Sequence, residues 1–106
     1  MVDQDFLKQL PRRPGVYLMK DREDKVLYVG KAVNLYNRVR SYFQSSRQLS
    51  PRIAHMVEQV DRVEIIATRT DLEALALESN LIKEHRPKYN VKLRDDKQYP
   101  WIKITI

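Results

Sequence analysis

The sequence predicts an α+β domain, a small and mainly antiparallel sheet with helices on its faces. Three observations carry this. Two short β-rich runs, 15–20 and 25–30, flank the polar turn Asp21-Arg-Glu-Asp24, which reads as a hairpin. Three helix starts follow, each with a side-chain cap: Asn34, Ser50 ahead of Pro51, and Thr70 with Glu73 three residues on. A strand-like run at 62–68, carrying Val63, Ile65 and Ile66, stands between two of these helices.

In order, 3–10 predicts a short helix ended by Pro11 and Pro14. The hairpin comes next, with Tyr17 and Tyr28 each near a strand end. Asn34 starts a helix reaching about Gln44, with Leu35, Val39, Tyr42 and Phe43 as its apolar stripe. Residues 44–49 are polar and predict a loop. Ser50-Pro51 opens a helix to about Val60. The helix opened by Thr70 runs to Arg86, where Pro87 disfavours continuation. Residues 99–106 alternate apolar with polar and predict a last strand. The order from the hairpin onward is β-β-α-α-β-α-β. The 106 residues predict one domain, and the apolar alternation running to Ile106 suggests the N-terminal piece of a longer protein.

Composition removes several chemistries. There is no cysteine, hence no disulfide frame, thiolate nucleophile or cysteine zinc site. The two histidines, His55 and His85, have no partner at metal-ligand spacing, which argues against zinc. His85 is expected to be partly buried and hydrogen-bonded, and His55 exposed. Only two glycines occur, against roughly seven at average usage, so neither a GxGxxG loop nor a P-loop is possible. No apolar run approaches a membrane span and no signal pattern opens the chain, so a cytoplasmic domain is expected; a monomer is expected as well.

Charge points to a partner. Lys and Arg number 20 against 14 acids, a net charge of +6, which favours nucleic acid. Residues 31–57 contain no acid but carry Lys31, Arg38, Arg40, Arg47 and Arg52. Residues 85–94 repeat the pattern with Arg86, Lys88, Lys92 and Arg94. Tyr36, Tyr42 and Tyr89 lie within these windows and suit contact with bases or sugars. The bland alternative is two solvated faces; the sharper one is a phosphate-neutralising groove.

Glu78 is the anomaly. Its helical neighbours Ala74, Leu75, Leu81 and Ile82 are all apolar, so it lies on an apolar stripe. A carboxylate there is costly unless paired or metal-bound. Both readings stay open: an ion pair with an arginine, or a magnesium ligand that leaves several waters and a phosphate to complete the shell. Tyrosine also exceeds phenylalanine, six to two, which hints that phenol oxygens are needed.

Gly15-Val-Tyr17, followed by Tyr28-Val-Gly30-Lys31, resembles the signature of the GIY-YIG endonuclease family. Asn34-Leu-Tyr-Asn-Arg38 looks like its arginine helix, Leu77-Glu78-Ser-Asn-Leu its metal-binding glutamate, and His85-Arg-Pro-Lys-Tyr-Asn90 its asparagine segment. These blocks stand in the family's order, and within it they are most similar to the N-terminal nuclease domains of the UvrC group of excinucleases. The resemblance implies a three-stranded antiparallel sheet flanked by helices. It implies Mg2+- or Mn2+-dependent cleavage of damaged double-stranded DNA on the 3′ side of a lesion in nucleotide excision repair, leaving a 3′-hydroxyl and a 5′-phosphate. The partners would be the damage-loading excinuclease component UvrB, with UvrA upstream. Tyr28 would be general base, Tyr17 would orient the water or a phosphate oxygen, Arg38 would stabilise phosphate charge, and Glu78 would hold the metal. Lys31, three residues after Tyr28, would help stabilise a phenolate; a neutral relay by Tyr28 stays open. Tyr42 and Asn90 would line the site, with Gly30 letting backbone and phosphate approach closely. Arg40, Arg47, Arg52, Arg86, Lys88 and Lys92 would contact DNA. The alternatives are a structure-specific or homing nuclease of the same family, and a basic binding module without turnover.

Overall fold

The computed structural model describes residues 2–44 and 49–90; the expected strand at 99–106, together with Arg47, Lys92 and Arg94, lies outside them. Among the described residues the chain forms α1 (Gln4–Lys8), β1 (Gly15–Lys20), β2 (Val26–Ala32), α2 (Leu35–Ser41), α3 (Pro51–Gln59), β3 (Arg62–Ala67) and α4 (Asp71–His85). The predicted caps operate: the side chains of Asn34, Ser50 and Thr70 accept from the amides of Asn37, Ile53 and Glu73. α2 is shorter than expected, because Tyr42 turns its amide to the Arg40 and Val39 carbonyls and closes the helix. α4 ends where Arg86 adopts a left-handed conformation, φ 45°, just ahead of Pro87, a common helix stop.

The sheet is antiparallel, in the order β2-β1-β3. β1 is central because it can be buried on both sides. Gly15 to Met19 are all buried, and a strand covered on both faces reads as a continuous apolar run. β3 exposes alternate residues and lies at an edge. The hairpin turn is held by Asp21, whose carboxylate accepts from the amides of Glu23 and Lys25, both at 2.9 Å. Asp24 takes φ 69°, which Asp tolerates. It is ion-paired with Arg62 and, at 3.4 Å, with Lys20.

Register assigns the side chains to faces. Tyr17 pairs with Gly30 and Ile65, and Met19 with Tyr28 and Val63. This face packs against α1, α2 and α3 through Leu7, Leu35, Val39, Met56 and Val60. On the other face Val16 pairs with Lys31, and Leu18 with Val29. Val16, Leu18, Val26 and Val29 pack there on Ala74 of α4, flanked by Leu77, Leu81 and Ile82. α4 nonetheless leaves Leu72 and Leu75 exposed. Gly15 stands where β1, β3 and α2 converge: a Cβ would come within 2.5 Å of the Ile66 carbonyl oxygen and 2.7 Å of a Leu35 methyl.

Candidate active site

The sheet gathers three tyrosines and an arginine. Tyr17, from the middle of the central strand, is fully buried. Its hydroxyl shares a 2.8 Å hydrogen bond with that of Tyr42 and accepts one from Arg38 Nε at 3.3 Å. Its ring lies 6.1 Å from Tyr28 and 5.7 Å from Tyr42, centroid to centroid. Arg38 reaches in from α2 and also passes over the Tyr42 ring, 5.4 Å from its centre. Burial, with Tyr42 and Tyr28 nearby, pushes the Tyr17 phenol far above its ordinary range. It is therefore a fixed neutral hydroxyl. Arg38 is held cationic, chiefly by its hydrogen bond to Tyr17.

Gly30 acquires a different reason from the one expected. The space a Cβ would need there is occupied by the Tyr17 ring: Cε1 stands 2.8 Å from that position, and Cζ and the hydroxyl oxygen are closer still. What approaches the backbone is the cross-strand phenol.

Tyr28 sits on the same face of edge strand β2 and is half-buried. Its phenol is pushed up to about 12, first by burial and then by Tyr42, while the Arg38 charge pulls the other way. The cation opposing that rise is therefore Arg38. Lys31 lies three residues along the strand, and a side-chain period of two sends it to the opposite face. There its ammonium pairs with Asp71 Oδ1 at 2.9 Å.

Glu78 also occupies that opposite face. It projects from α4, half-buried, beside Lys31 of β2. Burial raises its carboxyl above the ordinary value, opposed by the Lys31 charge and a hydrogen bond from the Lys31 backbone amide. Among the described residues no arginine pairs with it. Nor do three acids or histidines cluster anywhere among them. A lone, partly desolvated carboxylate fits a magnesium ion that keeps most of its waters. It does not fit zinc.

Asn90 does more than line the site. Its carboxamide oxygen accepts from the Val29 amide at 2.7 Å, and its NH2 donates to the Val29 carbonyl at 2.9 Å. It thus completes the outward-facing backbone of the residue between Tyr28 and Gly30. Arg52 turns inward, donating to the Tyr89 carbonyl at 3.0 Å with its guanidinium over that ring. Gln59 bonds the Tyr89 hydroxyl at 2.8 Å, and together these contacts hold the turn that presents Asn90. Arg86 and Lys88 are exposed beside this turn, and Arg40 is half-buried on α2. His85 is more exposed than expected, 4.0 Å from Glu84; His55 is exposed as expected. Asp71, the partner of Lys31, escaped sequence reasoning because 40 residues separate the two. The acid-free stretch 6–20 was the available signal for a further basic surface, carrying Arg12 and Arg13.

No helix among the described residues is long and apolar enough to cross a membrane. Residues 13–91 match the family model of the UvrC-like GIY-YIG domain. The UvrABC system protein C of Prochlorococcus marinus is 61% identical over 101 residues, covering 95% of this chain and 16% of the relative. That of Clostridioides difficile is 59% identical over 102 residues, 96% of this chain and 17% of the relative. The chain thus spans about one-sixth of the length of these relatives. The magnesium-bound GIY-YIG N-terminal endonuclease domain of UvrC from Thermotoga maritima superposes with a TM-score of 0.72 at 37% identity, covering 81% of this chain and 92% of that one. Variants of that domain with one tyrosine changed to phenylalanine, or an asparagine to alanine, also hold the catalytic divalent cation. By sequence and fold alike, the chain belongs to the UvrC-like GIY-YIG domain family.

Proposed function

We propose that this chain is a divalent-metal-dependent endonuclease domain, the N-terminal part of a longer cytoplasmic protein, which hydrolyses one phosphodiester on the 3′ side of a lesion in double-stranded DNA during bacterial nucleotide excision repair. The observation that carries the reading is the division of labour across the hairpin. Phenols and a guanidinium lie on one face, and a lone carboxylate beside a lysine lies on the other, with all of them close to Gly30. A binding module without turnover has no use for a carboxylate held partly out of water.

Glu78 would hold Mg2+ or Mn2+, and that cation supplies charge stabilisation at the phosphate and at the leaving 3′-oxygen. Tyr28 handles the proton. Burial pushes its phenol up to about 12, which favours a neutral relay over a standing phenolate. Its oxygen accepts a proton from the attacking water while its own proton passes to a non-bridging phosphate oxygen. Arg38 spends Nε on Tyr17 and keeps its terminal N–H groups for the scissile phosphate, where a planar fork suits two oxygens. Tyr17 and Tyr42 keep that fork and the Tyr28 ring in place. Lys31, tied to Asp71 and facing Glu78, steadies the metal side. Arg40, Arg86 and Lys88, with Arg47 and Lys92, contact the flanking DNA; Arg52 braces the Asn90 turn.

The domain acts on DNA presented by UvrB after loading by UvrA, and is monomeric. The test is a nicking assay on lesion DNA preloaded with UvrB, using the full-length protein with and without Glu78→Gln. The variant should load normally and fail to incise. Near-normal cutting by it removes the metal role of Glu78, and a wild-type protein that does not incise removes the nuclease reading.

A further inference from the structure

Across α2 from Arg38 lies a second basic feature outside the catalytic cluster. The Arg12 guanidinium stacks on the Tyr36 ring, 3.9 Å from its centre, and that of Arg40 approaches the same ring at 4.7 Å. Among the described residues neither arginine has a carboxylate partner. Both are also distant in sequence from acids, since none occurs at 6–20 or 31–57.

The loop that carries Arg12 is fixed. Pro11 and Pro14 bound it, and its carbonyls cap the start of α2: Leu35 N–H donates to the Arg13 carbonyl at 2.9 Å and Tyr36 N–H to the Pro11 carbonyl at 3.0 Å. These are helix-start amides with no partner inside the helix. Arg13 is tethered as well, donating to the Thr68 carbonyl at 3.3 Å. Stacking engages the face of a guanidinium and leaves the N–H groups at its edge free. Two cations are therefore held together without an anion, their donors still available. That arrangement opposes their mutual repulsion and makes sense only if an anion arrives.

We propose that Arg12, Tyr36 and Arg40 form a preorganised clip for the phosphates of the DNA backbone, separate from the scissile phosphate. On a helix Tyr36 and Arg40 share one side, whereas Arg38 projects from the other. The clip and Arg38 are thus about one helix diameter apart, ~10 Å, a separation within reach of nearby phosphates on one strand. The clip grips the backbone a few nucleotides from the cut and sets which phosphate Arg38 meets. This rests on the reading of the chain as a DNA-cutting domain and adds a subsite to it.

The experiment is the salt dependence of binding of the 106-residue chain to a fluorescein-labelled duplex, read by anisotropy. Arg12→Gln/Arg40→Gln should flatten the plot of log affinity against log salt by about 1.8, and each lost contact should cost about eightfold in affinity at ~0.1 M salt. Arg12→Lys/Arg40→Lys keeps the charge but loses the planar fork; it should bind several-fold more weakly than the wild type. Lys25→Gln, an exposed change in the hairpin turn at the other end of β1, should leave the slope as it was. A Gln double variant with the wild-type slope, or a Lys double variant with wild-type affinity, overturns the clip and leaves the nuclease reading standing. A wild-type chain whose binding is absent or insensitive to salt overturns the DNA reading and the clip together.

Discussion

Gly30→Ala tests how the hairpin positions its phenols. The added Cβ would sit 2.8 Å from Tyr17 Cε1 and nearer still to Cζ and the hydroxyl oxygen. The ring cannot simply swing aside, because Tyr17 is fully buried and its oxygen is shared between Tyr42 and Arg38. Overpacking of this kind costs about 1–3 kcal/mol. Disturbing the shared hydroxyl adds about 1 kcal/mol. Alanine's lower chain entropy returns up to about 1 kcal/mol. The net destabilisation should therefore be about 1–3 kcal/mol, measured by urea unfolding of the 106-residue chain. The decisive measurement is the same substitution in a Tyr17→Leu background, which lacks the outer ring atoms. There Gly30→Ala should be neutral or slightly stabilising, giving a coupling of about 2 kcal/mol. Additivity within about 0.5 kcal/mol, the behaviour of independent sites, would refute the assignment of Gly30 as the space for Tyr17.

Three further outcomes are expected. Asn90→Ala should cost about 2–4 kcal/mol in urea unfolding, because it strands both the amide and the carbonyl of fully buried Val29, and the Val29 amide should exchange faster with solvent. Glu78→Gln should raise the unfolding free energy at pH 7 by no more than about 1 kcal/mol, since the half-exposed carboxyl is screened by water. Burial raises its folded-state pKa, so its favourable contribution is complete below the ordinary carboxylate range and lost as pH rises through the raised value; the gain should vanish near pH 4. Tyr28 follows the same sign at the alkaline end. With a phenol pushed up from 10.0 to about 12, stability should fall as pH rises across that window, and Tyr28→Phe should flatten the fall measured by circular dichroism.

Most of the fold was legible because its signals are local. Caps at Asn34, Ser50 and Thr70, the Asp21 turn, and the apolar run from Gly15 to Met19 each act within a few residues. Glu78 stood out for the same reason, as an acid on an apolar stripe. Illegible were the relations that depend on which face of the sheet a side chain takes once strands pair. Lys31 is close to Tyr28 by sequence distance, yet strand parity puts the two on opposite faces and Asp71 supplies the lysine's partner. Arg52 fell in a basic window and reads as a DNA contact, yet its guanidinium is spent on Tyr89. Charge windows locate cations along the chain; tertiary contacts decide which remain available.

The location of Tyr28 on an edge strand reconciles these parts. Among the described residues β2 has a neighbour on one side only, and Asn90 covers its other side at Val29 with a donor and an acceptor, as a pairing strand would. That cover answers the exposed-edge liability at Val29 with one side chain. The electrostatics of the two faces also meet there: the Tyr28 phenol responds to Arg38 on one face and to Glu78 on the other, with opposite signs. A phosphodiester lying along this edge would touch the guanidinium from one side and the carboxylate's cation from the other, with the phenol between them. A central strand could not do this, since both of its sides are occupied by backbone. The edge position that β2 holds among the described residues, and not the tyrosine alone, would make the hairpin the site we propose.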